Sequence, residues 1–451
     1  MLYSLHNSGA SIVNPDYRNA YLATTRFGFG AKMGELNAAK KDPIYWLLSQ
    51  LDGYTKTHKR YFRHLPSSEE AIKIYFSGGR DDLKKNYRKE VDARHKAAIE
   101  SDTSFYERLV HFWSNHFAVS IKKGANLRIL AGIFEREAIR PNINGYFADM
   151  LLDVEQHPAM LIYLDNNSSI GPNSRVGRNN ARGLNENLAR EILELHTLGV
   201  DGGYKQKDVR ELAKIITGWS IDRDNLQNRN GFAFFNNRHE QGKKTLLGRI
   251  YNNDGEKEGI TALKRLAKSH ATAIFISYKL AKHFVSDTPS DSLINNMAQA
   301  YNLNNGHLPK VYEAMLNHDE SWQMRPSKIR PPNEYIISVA RALKGEVKDG
   351  ESLDFIYKSM RALGQAPWSV NSPAGYSDDS KDWAGPEALM RRIEWAATVS
   401  NSISSGIGVE ELSNQTVAPV LSPSSIDTIK SAANEQEAIA LLLASPEFQR
   451  K

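Results

Sequence analysis

Over most of its 451 residues the chain repeats apolar side chains at spacings of three and four, and this period limits what it can fold into more than any other feature does. Segments 33–51, 80–100, 103–119, 125–139, 185–198, 206–219, 256–269, 271–285 and 384–404 carry the pattern, with Gly, Pro or Asn between them. The fold class that follows is mainly α, a compact multi-helix domain, and a hydrophobic content of 41% is enough for a sizeable core. Only "GFAFFNN" (231–237) and "KTLLGRIY" (244–251) read as strands, and together they predict one small β-hairpin near 231–251.

With no internal repeat to divide it, the chain reads as a single large helical domain over 17–451. Two stretches break the helical period. "DNNSSIGPNSRVGRNNARG" (165–183) is a basic loop longer than connectors in compact domains usually are. The Pro- and Gly-rich segment 364–386 carries Trp368, Tyr376 and Trp383, and this aromatic content predicts that it packs onto the body.

The chain has no cysteine, which removes disulfides, zinc fingers and thiolate nucleophiles, so any metal would be held by His, Asp or Glu. A net charge of +6 over such a length permits an anionic ligand without demanding one. No apolar run approaches the roughly 18 residues of a membrane span. The first residues lack the basic and apolar regions of a leader, so the chain as written reads as cytoplasmic or already processed.

The best-defined helix is "NENLAREILELHTLG" (185–199), with Asn185 as N-cap and Gly199 just past its end. Leu188, Ala189, Ile192, Leu193 and Leu195 fall on one side, and Glu186, Asn187, Arg190, Glu191 and Glu194 on the other. The polar side is either a solvated ladder of pairs four apart or one wall of a site. His196 departs from that ladder and projects toward the core. In "FYERLVHFWSNHFAVS" (105–120), His116 lies within the arc of Phe105, Leu109, Trp113 and Phe117, whereas His111 falls nearer the polar side with Arg108 and Asn115. Two imidazoles on core-facing sides, with carboxylates close in sequence, suit acid–base or metal chemistry, although a buried histidine is more often a hydrogen-bonded core residue.

The segments "RFGFG" (26–30), "ERLVHFWSNHF" (107–117), "HPAMLIYLDN" (157–166), "NENLAREILELHTLGVDGGYKQKDVRELAKIITGW" (185–219), "LGQAPWSVNSPAGY" (363–376) and the final "LLLASPEFQR" resemble, in this order, a large uncharacterised bacterial family catalogued as a domain of unknown function. The family's pattern matches at His116, Asn187, Arg190, Glu191, Glu194, His196, Thr197 and Gly199. It departs at Ser114, where relatives often have a second histidine, and at Lys205, where they tend to have Thr. Relatives are often secreted and often encoded beside a protein similar to alkaline phosphatases and sulfatases. The resemblance therefore implies an anionic substrate, such a protein as a partner, and a periplasmic or secreted location once the N-terminus is processed.

The expected site combines Glu191 as proton-transfer or ligand carboxylate, Arg190 as anion clamp, and His116 and His196 as imidazoles, with a divalent metal as the candidate cofactor. Arg175, Arg178 and Arg182, just before a helix N-terminus, are either an anion-binding set or a solvated basic loop. The motifs of zinc proteases, serine hydrolases, P-loop enzymes and dinucleotide-binding folds are missing. The activity expected is that of a hydrolase or transferase on an anionic saccharide or a phosphate or sulfate ester. The alternative is a non-catalytic accessory protein that binds a polyanion or a partner. Nucleic acid is disfavoured, because Lys and Arg are spread along the chain and no recognised module appears.

Overall fold

Helix Ser104–His116 is buried on nearly all sides, because Phe105, Leu109, Phe112, Trp113 and His116 recur at helical spacing and the intervening residues also meet neighbours. Of the chain, this computed structural model describes residues 15–76, 80–179, 183–222, 229–324, 328–343, 350–402 and 407–451. The elements used below are α1 (Arg80–Glu100), α2 (Ser104–His116), α3 (Ala125–Phe134), α4 (Phe147–Gln156), α5 (Asn187–Glu191), α6 (Gln206–Ile215), α7 (His270–Phe284), α8 (Pro332–Ala342), α9 (Gly350–Ala362) and α10 (Pro386–Ser402). Helices dominate, and one cluster of buried apolar side chains includes residues from Ala20 to Phe448. Among the described residues no helix is long and apolar enough to cross a membrane.

A helix buried on all sides must neutralise its charges internally. On α2, Glu107 receives both ends of the Arg140 guanidinium at 2.8 and 3.0 Å, and Arg108 contacts the Glu334 carboxylate. Arg140 also reaches Glu135 at 3.1 Å, and Arg94 of α1 donates to the other Glu135 oxygen at 2.7 Å. This network ties α2 to α1 and to the chain after α3, and α8 and α9 also pack against α1.

Several boundaries differ from the apolar period for local reasons. Segment 33–51 divides into Glu35–Lys40 and Pro43–Leu48, because Pro43 starts a new helix and Asp42 caps it by accepting from the Tyr45 N–H at 2.9 Å. Segment 125–139 continues past Phe134 as a wider π turn, Glu135–Ile139. The 185–199 helix does the same: α5 passes into a π turn at Ile192–Thr197, where Leu198 N–H reaches back five residues to Leu193 C=O. The helix starts later than the sequence predicts, with Glu186 rather than Asn185 at the N-cap position; Asn185 accepts the Asn187 N–H at 2.9 Å from the residue before it, and Gly199 closes the end at φ +81°.

Among the described residues the small β component is two ribbons. Trp219–Ile221 (β1) pairs antiparallel with Phe232–Phe234 (β2), and Lys244–Leu246 (β3) pairs with Arg249–Tyr251 (β4). Segments 231–237 and 244–251 therefore do not pair with each other. The second folds on itself, because Leu247 and Gly248 both take positive φ, as a two-residue hairpin turn requires. The first is held by the buried Trp219, whose ring meets Phe232 edge-on at 5.7 Å.

Both irregular stretches are docked. The described part of 165–183 is tied to the chain beyond β2 through Gly171 N–H to Arg238 C=O, Val176 N–H to Asn237 C=O, and Asn173 to Glu240. Segment 364–386 packs as its aromatic content predicts, with Trp368 buried against Tyr87 and Tyr376 beside Trp383.

Candidate functional site

Arg108, His111 and Asn115 stand three and four residues apart on α2 and form one polar stripe, separate from the Glu107 side that meets Arg140. The stripe lines a cavity of about 50 Å³ with a mixed polar and apolar surface, whose other walls come from α1 (Arg94), the end of α7 (His283), the start of α8 (Asn333, Glu334) and the segment 365–378. Since one water-sized group needs about 10–15 Å³ of such space, the cavity holds roughly three to five of them.

His283 is oriented from one side. Its Nδ1 lies 2.7 Å from Asp378 Oδ1, so Nδ1 carries the proton and Nε2 keeps its lone pair. Nε2 makes no hydrogen bond, and Glu334 Oε1 is 3.8 Å away. Burial pushes the His283 pKa down to about 4 against the pull of Asp378, which leaves the ring neutral near pH ~7. Burial would raise Asp378, but His283 and Lys279 outweigh it and hold this carboxyl well below the usual range.

Arg108 is clamped between two rings, with its guanidinium carbon 5.2 Å from the centre of Phe29 and 5.4 Å from that of Phe284. One end contacts Glu334, which also accepts from Lys451 Nζ at 2.7 Å, and Nε and Nη2 have no partner. Burial works against the Glu334 charge, yet Arg108 and Lys451 bring its pKa down to about 2. His111 accepts weakly at Nδ1 from Asn333 Nδ2, 3.5 Å away, which assigns the proton to the unpartnered Nε2. Burial first, then Arg94, Arg140 and Arg108, hold the His111 pKa well below that of a free imidazole.

Five buried nitrogens on residues lining this cavity thus lack partners: Arg108 Nε and Nη2, His111 Nε2, His283 Nε2 and Trp368 Nε1. Four are N–H donors, and the fifth is the basic lone pair of His283. Buried polar groups are almost always paired, so five unpartnered nitrogens on residues that line one hollow stand out.

The sequence-expected residues lie elsewhere on the same framework. His116 lies about 100° round α2 from Asn115, and its Nε2 donates to His196 C=O at 3.2 Å, with the two rings 6.3 Å apart. The 105–120 and 185–199 segments therefore do lie side by side. His196 is fully buried and its Nδ1 meets Glu155 Oε1 at 2.7 Å. Glu155, on α4, is the partner that sequence reasoning missed; its signal is a carboxylate on the apolar side of a helix that runs into the 157–166 motif.

Glu191 is half-buried beside this pair, and burial raises its pKa against the influence of His196. Arg190 turns outward to Glu186 at 3.4 Å and Gln206 at 3.1 Å, a surface ladder rather than a contact with either histidine. Arg175 and Arg178 are exposed, and Arg182 lies outside the described residues. Among the described residues no three His, Asp or Glu side chains are arranged to hold a metal ion.

The cavity residues Arg94, His283, Glu334 and Asp378 also escaped sequence reasoning, because they come from four separate segments. Arg108, His111 and Asn115 had a readable signal as polar residues three and four apart on one helix. A family model described as "Protein of unknown function (DUF1800)" matches residues 22–450. No curated protein and no solved structure matches the chain.

Proposed function

The chain belongs to the DUF1800 family of proteins of unknown function, and from the geometry of its cavity we propose that it is a hydrolase or transferase acting on an anionic group. The observation that carries this reading is the joining of unpartnered N–H donors from Arg108, His111 and Trp368 with a single basic nitrogen, His283 Nε2, whose ring is fixed by Asp378. The donors suit the oxygens of an oxyanion, whose charge they stabilise in a water-poor site. His283 suits the proton transfer: it accepts the proton of an attacking water or hydroxyl, Asp378 stabilises the imidazolium that forms, and as the ester bond breaks the same proton returns to the departing oxygen.

The cavity's size favours a phosphate or sulfate ester, or the charged substituent of a saccharide, with the rest of the substrate outside. In this reading His116 and His196 are positioning residues. Through His116 Nε2 and the Glu155–His196 pair they hold α2, and with it the Arg108 stripe, against the 192–197 turn.

The test is a screen of aryl phosphate and aryl sulfate esters with the full chain, followed by His283→Gln and Asp378→Asn. Loss of turnover by about 10²- to 10⁴-fold in His283→Gln, with the circular-dichroism spectrum and the anion affinity kept, supports the reading. Full turnover in that variant would remove it. Anion binding without any turnover would identify a non-catalytic anion-binding protein instead.

A further inference from the structure

The helix that runs from Gly53 through the π turn at His58–Phe62 turns one side to the body and the other to solvent. Gly53, Thr57 and Phe62 are buried, with Gly53 so close to Tyr106 that an added Cβ would lie 2.7 Å from its ring, and Phe62 packed on Ala93 and Ala97 of α1. On the exposed side Lys56, Lys59, Arg60 and Arg63 recur at three and four. The sequence has no Asp or Glu from Gly53 to Ser68. On several other exposed helix faces a cation stands four residues from a carboxylate, as Arg88 from Asp92, Arg190 from Glu186 and Arg391 from Glu387. Here the side chains three and four apart are all cations, an arrangement that works against the helix. Among the described residues only Arg60 of the four has a carboxylate partner, Glu100 at 3.6 Å.

We propose that this face binds a linear acidic polysaccharide, whose carboxylates or sulfates lie along Lys56, Lys59, Arg60 and Arg63. The site is independent of the cavity described above. A helix rises about 1.5 Å per residue, so cations three and four apart follow one another at about 5 Å, on the scale of one sugar unit. Lys89 and Lys96 stand four before and three after Ala93 on α1, and so flank the contact with Phe62 and widen the positive surface. Bound anions also cancel the like-charge repulsion that the free helix carries. Two other polyanions fit less well. A membrane surface takes apolar side chains along with the charges, and among the described residues none of the exposed large apolar side chains falls within 53–64. A single nucleic-acid strand takes exposed rings on which its bases stack. Tyr61 is half-buried, and the Arg60 guanidinium carbon covers its ring at 5.2 Å from the centre.

The test is titration of the full chain at low ionic strength with polygalacturonate, and in parallel with neutral dextran, single- and double-stranded oligonucleotides and vesicles containing phosphatidylglycerol. Polygalacturonate is expected to bind most tightly and dextran not at all, and added salt should weaken the binding steeply. Lys56→Gln, Lys59→Gln and Arg63→Gln together are expected to lower the affinity at least about tenfold with the urea midpoint kept, because all three side chains are exposed. The same change at Lys257, Lys264 and Lys268, exposed at and beside helix Glu256–Ala267, controls for net charge and should leave the affinity within about threefold. Equal losses in the two variants overturn the assignment to this face, and so does an unchanged affinity in the first. Polygalacturonate that does not bind overturns the site itself. Tighter binding to an oligonucleotide or to the vesicles overturns the polysaccharide as its occupant.

Discussion

Asn115 and Tyr376 are joined by both ends of one amide: Asn115 Nδ2 donates to Tyr376 C=O at 2.8 Å, and Tyr376 N–H donates to Asn115 Oδ1 at 2.7 Å. The side chain imitates a strand neighbour and fastens segment 364–378, which carries Asp378, to the helix that carries Arg108 and His111. Gly375 stands at the join with φ +79°, where an added Cβ would lie 2.4 Å from the Asn115 carbonyl oxygen.

Asn115→Ala is therefore expected to loosen the strap before it unfolds the body. Amide hydrogen exchange should rise in 364–378, and anion affinity should fall by about tenfold for the two lost hydrogen bonds, each of about 0.5–1.5 kcal/mol once water competes. Unchanged protection of 364–378 would show that the strap is held by its aromatic packing instead.

Glu107 gives a stability test away from the cavity. It is fully buried and takes both ends of Arg140, so Glu107→Gln leaves a guanidinium with only part of its charge compensated. The expected loss is about 3–5 kcal/mol, read as a lowered urea midpoint. Glu186→Gln, whose ion-pair partners Arg190 and Arg210 are both exposed to solvent, should cost at most about 1 kcal/mol.

Stability should decline with acid earlier than carboxylates alone would require. Burial pushes the pKa of His95 down to about 3 and that of His283 down to about 4. Unfolded histidines take up protons near pH ~6.5. Each ring thus contributes stability that is complete above that value and is lost as pH falls through its folded pKa, at about 1.4 kcal/mol per pH unit in between. Glu334, held down to about 2, adds a second loss that starts near the unfolded value of pH ~4.3. Urea midpoints measured from about pH 8 downward check this, and His95→Leu should flatten the upper window because neither ring nitrogen of His95 has a partner. A midpoint level down to pH ~5 would contradict the buried neutral state of these rings.

Glu191→Gln separates the two candidate centres. If the cavity is the reaction site, turnover should stay within about threefold of wild type, as for substitutions outside a catalytic or packed position. A loss comparable to that of His283→Gln would move the chemistry to the His116–His196–Glu191 group.

How much is legible in the sequence differs between fold and site. Helices announce themselves because burial imposes a period on side chains, and that period places His116 and His196 on core-facing sides, where the structure has them. The partner of 231–237 is not legible, since a strand of three residues leaves no register signal and Trp219 reads as the end of a helix. Glu191 and Arg190 are drawn together by the expectation of one polar face, but they stand about 100° apart on α5, and Arg190 pairs outward while Glu191 is half-buried. Asp378 and His283 cannot be linked from spacing, because 95 residues separate them and only the packing of 364–378 onto α7 brings the two side chains together.

The π turn at Ile192–Thr197 also bears on how this stretch can change over generations. Its wide loop accommodates one residue more than a regular helix would, and Thr197 Oγ1 secures it by donating to Ile192 C=O at 2.5 Å. Deleting any one residue there would tighten the coil and swing everything on one flank by about 100°, detaching His196 from Glu155 or Glu191 from its half-buried seat. The length of the stretch is frozen.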